Sequence, residues 1–165
     1  MIIDCISDLH GFYPKLEGGD LLIVSGDLTA RDTINQHEQF KEWLLSQPYE
    51  RKILIAGNHD GHIQRGDLPR YDDGIDYLQD SSTEFQGLKI WGSPWTPTFC
   101  NWYFMKDRGY EIRQKWNLIP NDIDILVTHG PAYGILDKVK YSSKGDKHKY
   151  AGCEELRVTL ERIKP

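Results

Sequence analysis

Four short apolar runs, each ending in a cluster of polar residues and glycine, constrain this chain more than any other feature. Residues 2–6 lead into Ser7-Asp8-Leu9-His10-Gly11, and residues 21–24 into Ser25-Gly26-Asp27. Residues 53–56 lead into Gly57-Asn58-His59-Asp60, and residues 123–127 into Thr128-His129-Gly130-Pro131. Runs of this length, largely β-branched and bounded by turn residues, are the pattern of strands covered on both faces. Between the second and third runs, Asp32 or Thr33 can cap a helix reaching about Ser46, with Ile34, Phe40, Trp43 and Leu44 on its apolar face and Pro48 beyond its end. A second helix is predicted over 154–163, where Leu156, Leu160 and Ile163 recur on one face. A further strand is predicted within 88–95, ending at Gly92-Ser93-Pro94, whereas the aromatic-rich stretch 96–113 has no assignable period. Strands separated by helices predict an α/β fold in layers.

Composition narrows the class. A chain of 165 residues, 39% hydrophobic, predicts one domain spanning 1–165. No run approaches the ~20 apolar residues that span a bilayer. The N-terminal residues lack a basic segment and a small-residue cleavage site, which predicts a cytoplasmic protein with no membrane partner. With 20 basic against 25 acidic residues, a net charge of −5 disfavours nucleic acid as the main partner, because a phosphate backbone calls for a basic surface. Cys5, Cys100 and Cys153 form no CxxC pair, so neither a disulfide framework nor a thiolate zinc site is indicated; reduced, mostly buried thiols are expected.

In α/β sheets, ligands collect where loops leave the carboxyl ends of the strands. Here those ends carry Asp8 and His10, Asp27, Asn58 and His59, and His129. If the first strand ran straight on, Asp8 and His10 would share a face. Oxygen and imidazole donors without thiolate suit divalent ions such as Mn²⁺, Fe²⁺ or Zn²⁺. A carboxylate can bridge two ions and an imidazole serves one, and Asp27, central in the set, is the natural bridge. Two ions ~3.5–4 Å apart can clamp a phosphoryl oxygen and bring the pKa of a shared water near neutrality, giving a hydroxide that faces phosphorus.

These residues resemble the calcineurin-like metallophosphoesterase superfamily. Its D-x-H, G-D, G-N-H-[DE] and lone-His elements correspond to Asp8-Leu9-His10, Gly26-Asp27, Gly57-Asn58-His59-Asp60 and Thr128-His129-Gly130, in order and across the whole chain. Gly26-Asp27-Leu28-Thr29, Gly92-Ser93-Pro94-Trp95 and the stretch from Thr128 to Asp137 look most like the small branch related to the metallophosphoesterase-domain-containing proteins, some of which are cyclic-nucleotide phosphodiesterases. The resemblance implies a layered α/β/β/α sandwich and hydrolysis of phosphodiesters, cyclic nucleotides included, or of phosphomonoesters. It implies two divalent metal ions: Asp8 and His10 on the first, Asn58 and His129 on the second, Asp27 between them. His59 is implied to act without binding metal, stabilising the transition state or protonating the leaving oxygen, since an imidazole exchanges its proton near neutral pH. Asp60 either orients the loop or an imidazole, or serves as a plain turn residue.

The family's closing Gly-His-x-His segment has no counterpart here, because the sequence passes from the 154–163 helix to Lys164-Pro165. This predicts a C-terminally incomplete sandwich, one imidazole fewer for each ion, and weakened metal affinity in a monomer. Three explanations stay open: a truncated enzyme, a catalytically weak binding module on the same scaffold, or completion in trans by another chain through an exposed sheet edge, as in a homo-oligomer. A nuclease is the less favoured alternative. His37 reads as a surface or packing residue, His62 as solvent-facing, and His148 as part of a polar loop. Lys138, Lys140, Lys144, Lys147 and Lys149 read as a solvated segment rather than a phosphate-attracting rim. Trp95, Phe99, Trp102, Tyr103 and Phe104 read as core rather than as a stacking surface.

Overall fold

The computed structural model describes residues 1–67, 71, 74–139 and 150–165. His148 and, within the lysine-rich segment, Lys140, Lys144, Lys147 and Lys149 lie outside the described residues. The elements in chain order are β1 (Ile3–Ile6), β2 (Gly19–Ser25), α1 (Ile34–Ser46), β3 (Tyr49–Ile55), α2 (Gly61–Arg65), β4 (Ile75–Tyr77), β5 (Ser81–Phe85), β6 (Leu88–Ser93), β7 (Thr96–Pro97), β8 (Met105–Lys106), α3 (Tyr110–Trp116), β9 (Ile125–Thr128) and α4 (Glu154–Ile163).

Two sheets form the centre. The first, in the order β1-β2-β3-β4, is parallel throughout, with Ile3 beside Leu21, Ile23 beside Ile53 and Lys52 beside Ile75. The second, β5-β6-β9, joins an antiparallel hairpin to a parallel pair in which Ile90 lies beside Ile125 and Ser93 beside Thr128. A short parallel pair, β7 with β8, stands apart.

Alternation along the strands builds the layers. On the first sheet Leu21, Ile23, Ile53 and Ile55 face the second sheet and pack on Leu78, Phe85, Ile90 and Val127. Their neighbours Leu22, Val24 and Leu54 point the other way, onto Phe40 and Leu44 of α1. Beyond the second sheet, Ile112 and Trp116 of α3 and Leu156 and Ile163 of α4 close over Trp91. The result is the helix–sheet–sheet–helix sandwich expected from the sequence.

The helix α1 begins where expected, with the Thr33 side chain accepting the Gln36 N–H at 3.3 Å. Removing that cap with Thr33→Ala should lower stability by about 1 kcal/mol in denaturant unfolding, and an unchanged midpoint would contradict this. Its buried stripe is His37, Phe40 and Leu44; Ile34 is exposed and Trp43 only half-buried. His37 takes the core position because Asp32 meets its Nε2 at 2.9 Å, whereas Ile34 sits in the first turn. Burial pushes the His37 imidazole below its usual range, against the raising effect of Asp32.

Other expectations need correction. β2 and the second half of β3 are covered on both faces, but β1 lies at the edge of its sheet, with Cys5 exposed on it. Cys100 is exposed too, so among the thiols only Cys153 is buried. The aromatic group divides: Trp95 and Phe104 are core, while Phe99, Trp102 and Tyr103 remain exposed. His62 is half-buried and pairs through Nδ1 with Asp67 at 3.0 Å. No helix among the described residues is long and apolar enough to cross a membrane.

Candidate metal centre

Because β1, β2 and β3 run parallel, their carboxyl ends open onto one rim, and the end of β9 meets the same rim from the second sheet. Beyond β1 the chain does not continue straight. Asp8 (φ 54°) and His10 (φ 45°) are both left-handed, as is Asp27 (φ 54°) beyond β2. Non-glycine residues occupy that region at a local cost, and such strain gathers at functional sites. The turn is held by the Asp8 N–H donating to the Gly26 carbonyl and the His10 N–H donating to the Asp27 carbonyl, both at 3.0 Å. Asp8 and His10 therefore reach the rim through this laced turn and not through strand alternation.

All six residues singled out in the sequence converge. Asp27, 3% exposed, stands at the centre. Its Oδ2 lies 3.5 Å from His10 Nε2 and its Oδ1 lies 3.3 Å from His129 Nε2. Asp8 Oδ1 is 4.0 Å from His10 Nε2, and Asn58 Oδ1 is 3.0 Å from His129 Nε2. The His59 N–H donates to Asp27 Oδ1 at 2.9 Å, and its ring meets that of His10 edge-on at 4.7 Å. Donor atoms lying within 4.8 Å of one another form two groups, His10 with Asp27 and His59, and Asp8 with Asp27 and His129. Asp27 belongs to both.

The hydrogen-bond chemistry shows what these groups fit. His129 Nδ1 is 2.9 Å from the Ser25 carbonyl oxygen, so that nitrogen carries a hydrogen. With Nδ1 so engaged, Nε2 faces two oxygens, Asn58 Oδ1 and Asp27 Oδ1, neither of which donates. Nε2 and these two oxygens face one point, and a cation there, a proton or a metal ion, satisfies all three. The ion pairs of Asp27 among the described residues are with imidazoles, so no side-chain ammonium or guanidinium fills that role. A divalent ion suits this donor set, and an imidazole anchored by its far nitrogen to a carbonyl is the usual form of a metal-binding histidine.

Asp60 holds the loops in register. It is fully buried and accepts the N–H of Gly57 at 2.7 Å, of Leu28 at 3.1 Å and of Thr29 at 3.3 Å. One carboxylate thus ties the loop bearing Asp27 to the loop bearing Asn58 and His59. Burial pushes its carboxyl up to about 7; the three N–H donors pull it down and the Asp27 charge pushes it further up. The tie leaves no room for side chains at the crossing: a Cβ on Gly57 would lie 2.3 Å from Asp27 Oδ1. The choice the sequence left open for Asp60 falls on the orienting role.

Two residues that the sequence placed in other roles, Asp32 as a helix cap and Trp102 as core, take part here. Asp32 accepts the His62 N–H through both oxygens, at 3.0 and 3.1 Å, fixing the start of α2 directly after the His59 loop. Trp102 lies against His59, its ring centroid 4.5 Å away. The contacts of both depend on folding and not on spacing in the chain.

Comparison with known proteins agrees with this geometry. Human metallophosphoesterase domain-containing protein 1 is 38% identical over 96% of this chain and 55% of its own length. A UPF0046 protein of Caenorhabditis elegans is 37% identical over 98% of the chain and 64% of its own length. An Emericella nidulans protein named probable rhamnogalacturonate lyase C is 38% identical over 94% of the chain and 15% of its own length. The chain spans about half the length of the human relative it matches. Residues 1–162 match the calcineurin-like phosphoesterase family, and with rim, donors and sandwich in agreement, the chain belongs to that family.

Proposed function

We propose that residues 1–165 form one domain that hydrolyses phosphate esters with the help of two divalent ions. Asp8 and His10 would hold one ion, Asn58 and His129 the other, with Asp27 between them; Mn²⁺, Fe²⁺ and Zn²⁺ all suit these donors. The observation that carries the reading is the His129 imidazole, hydrogen-bonded at Nδ1 and facing Asn58 and Asp27 oxygens at Nε2. When bound, such ions offset charge on a phosphoryl group and acidify water.

The protein's own groups do the positioning. Asp27 sends one oxygen toward His10 and the other toward His129, while the Ser25 carbonyl keeps Nε2 of His129 turned inward. The backbone N–H of His59 is fixed on Asp27, and its ring stands between His10 and Trp102. From there it can pass a proton to the departing ester oxygen. Phosphodiesters, cyclic nucleotides included, are the favoured substrates, with phosphomonoesters the alternative; the resemblance supports that order.

The test is turnover of bis(p-nitrophenyl) phosphate. A chelator should reduce the rate to background and added Mn²⁺ should restore it. Absence of turnover with every first-row divalent ion would contradict the proposal and favour a catalytically weak binding module.

A further inference from the structure

Residues 98–104 present Phe99 (61% exposed), Trp102 (47%) and Tyr103 (36%) at the surface, yet the segment is firmly held. The Tyr103 N–H donates to the Asn58 carbonyl at 3.3 Å, and the Phe104 N–H donates to Gln64 Oε1 at 2.6 Å. Arg65 donates to the Tyr103 hydroxyl at 2.7 Å and lies 5.1 Å over its ring. Phe104 is fully buried. Tyr103 packs so closely on Gly61 that a Cβ there would lie 2.2 Å from its ring. These contacts anchor the segment to the loop that supplies Asn58 and His59 and to α2 directly after it.

Trp102 is thus an exposed indole on a fixed support beside the candidate centre. Its ring meets His59 at 4.5 Å with an interplanar angle of 66°, and it meets Phe99 at 5.5 Å and 71°. The two rings make an exposed aromatic corner beside His59. Rigid aromatic rings steeply inclined to each other can accept a flat ring, face against one and edge against the other. An apolar wall next to a few convergent polar groups is the usual make-up of a small-molecule site.

Resting on the phosphoester reading above, we propose that Trp102, backed by Phe99, seats a planar aromatic or heteroaromatic group carried on the ester, and so determines specificity. Because the wall adjoins His59, the group seated there is the one on the departing side. The preference is for flat organic groups over small alkyl groups.

The test compares benzylphosphonate with methylphosphonate, which share the anionic group and differ in the organic one, binding to the Mn²⁺-loaded chain by calorimetry. Benzylphosphonate should bind about tenfold more tightly, on the scale of one aromatic contact. Trp102→Ala should bring the two within about twofold of each other by weakening benzylphosphonate alone, and Trp102→Phe should keep part of the preference. Equal binding of both anions to the wild-type chain overturns this inference alone. Trp102→Ala weakening both anions alike overturns it as well, since Trp102 would then merely support His59. Binding of neither anion overturns the phosphoester reading and this inference together.

Discussion

Asp27→Asn is expected to lower kcat/KM for a phosphodiester by about a thousandfold, equivalent to ~4 kcal/mol of barrier. The substitution keeps the shape and one oxygen, which can still accept the His59 N–H, but it removes the charge shared by both donor groups. Asp27 is buried and belongs to both donor groups, whereas the neighbouring carboxylate, Asp8, belongs to one of them. Steady-state kinetics with saturating Mn²⁺ measures the effect, and thermal unfolding of the metal-free protein checks that the fold survives. A variant within tenfold of wild type would mean that Asp27 does not organise the centre.

Asp60→Ala should produce the largest loss of stability, roughly 3–5 kcal/mol in denaturant unfolding. The reason is the number of donors it strands. The N–H groups of Gly57, Leu28 and Thr29 all end on this carboxylate, which is fully buried. Asp60→Asn should recover part of the loss and not all, because both carboxylate oxygens accept hydrogen bonds and the amide nitrogen cannot. A loss below about 1 kcal/mol for Asp60→Ala would show that the two loops are held by something else.

The sequence revealed the rim better than its surroundings, for physical reasons. β2 and the second half of β3 are legible because strand segments buried on both faces are apolar at successive positions, as in Leu21, Leu22, Ile23 and Val24, or Ile53, Leu54 and Ile55. The helix α4 is legible because Leu156, Leu160 and Ile163 face one side, although Leu160 is only partly buried. The strand β5 was not read: Ser81-Ser82-Thr83-Glu84-Phe85 places one buried apolar side chain at its end, and its pairing with β6 supplies the rest. The helix α2 is five residues long, too short to show a helical period.

The site divides in the same way. Its donors stand at strand ends, where local sequence marks them. Two of the three partners of Asp60, Leu28 and Thr29, lie some thirty residues back, and nothing in Gly57-Asn58-His59-Asp60 points to them. Trp95 and Trp102 belong to one aromatic stretch, yet one is core and the other faces solvent. Composition cannot separate them, because the difference comes from Tyr103 closing on Gly61 and from Trp102 being turned outward beside His59.

The most direct measurement is anomalous diffraction from crystals soaked in Mn²⁺. The account predicts two manganese peaks flanking Asp27, one toward Asp8 and His10 and the other toward Asn58 and His129. A lack of ordered manganese at Asp27, or peaks confined to surface carboxylates elsewhere, would contradict it.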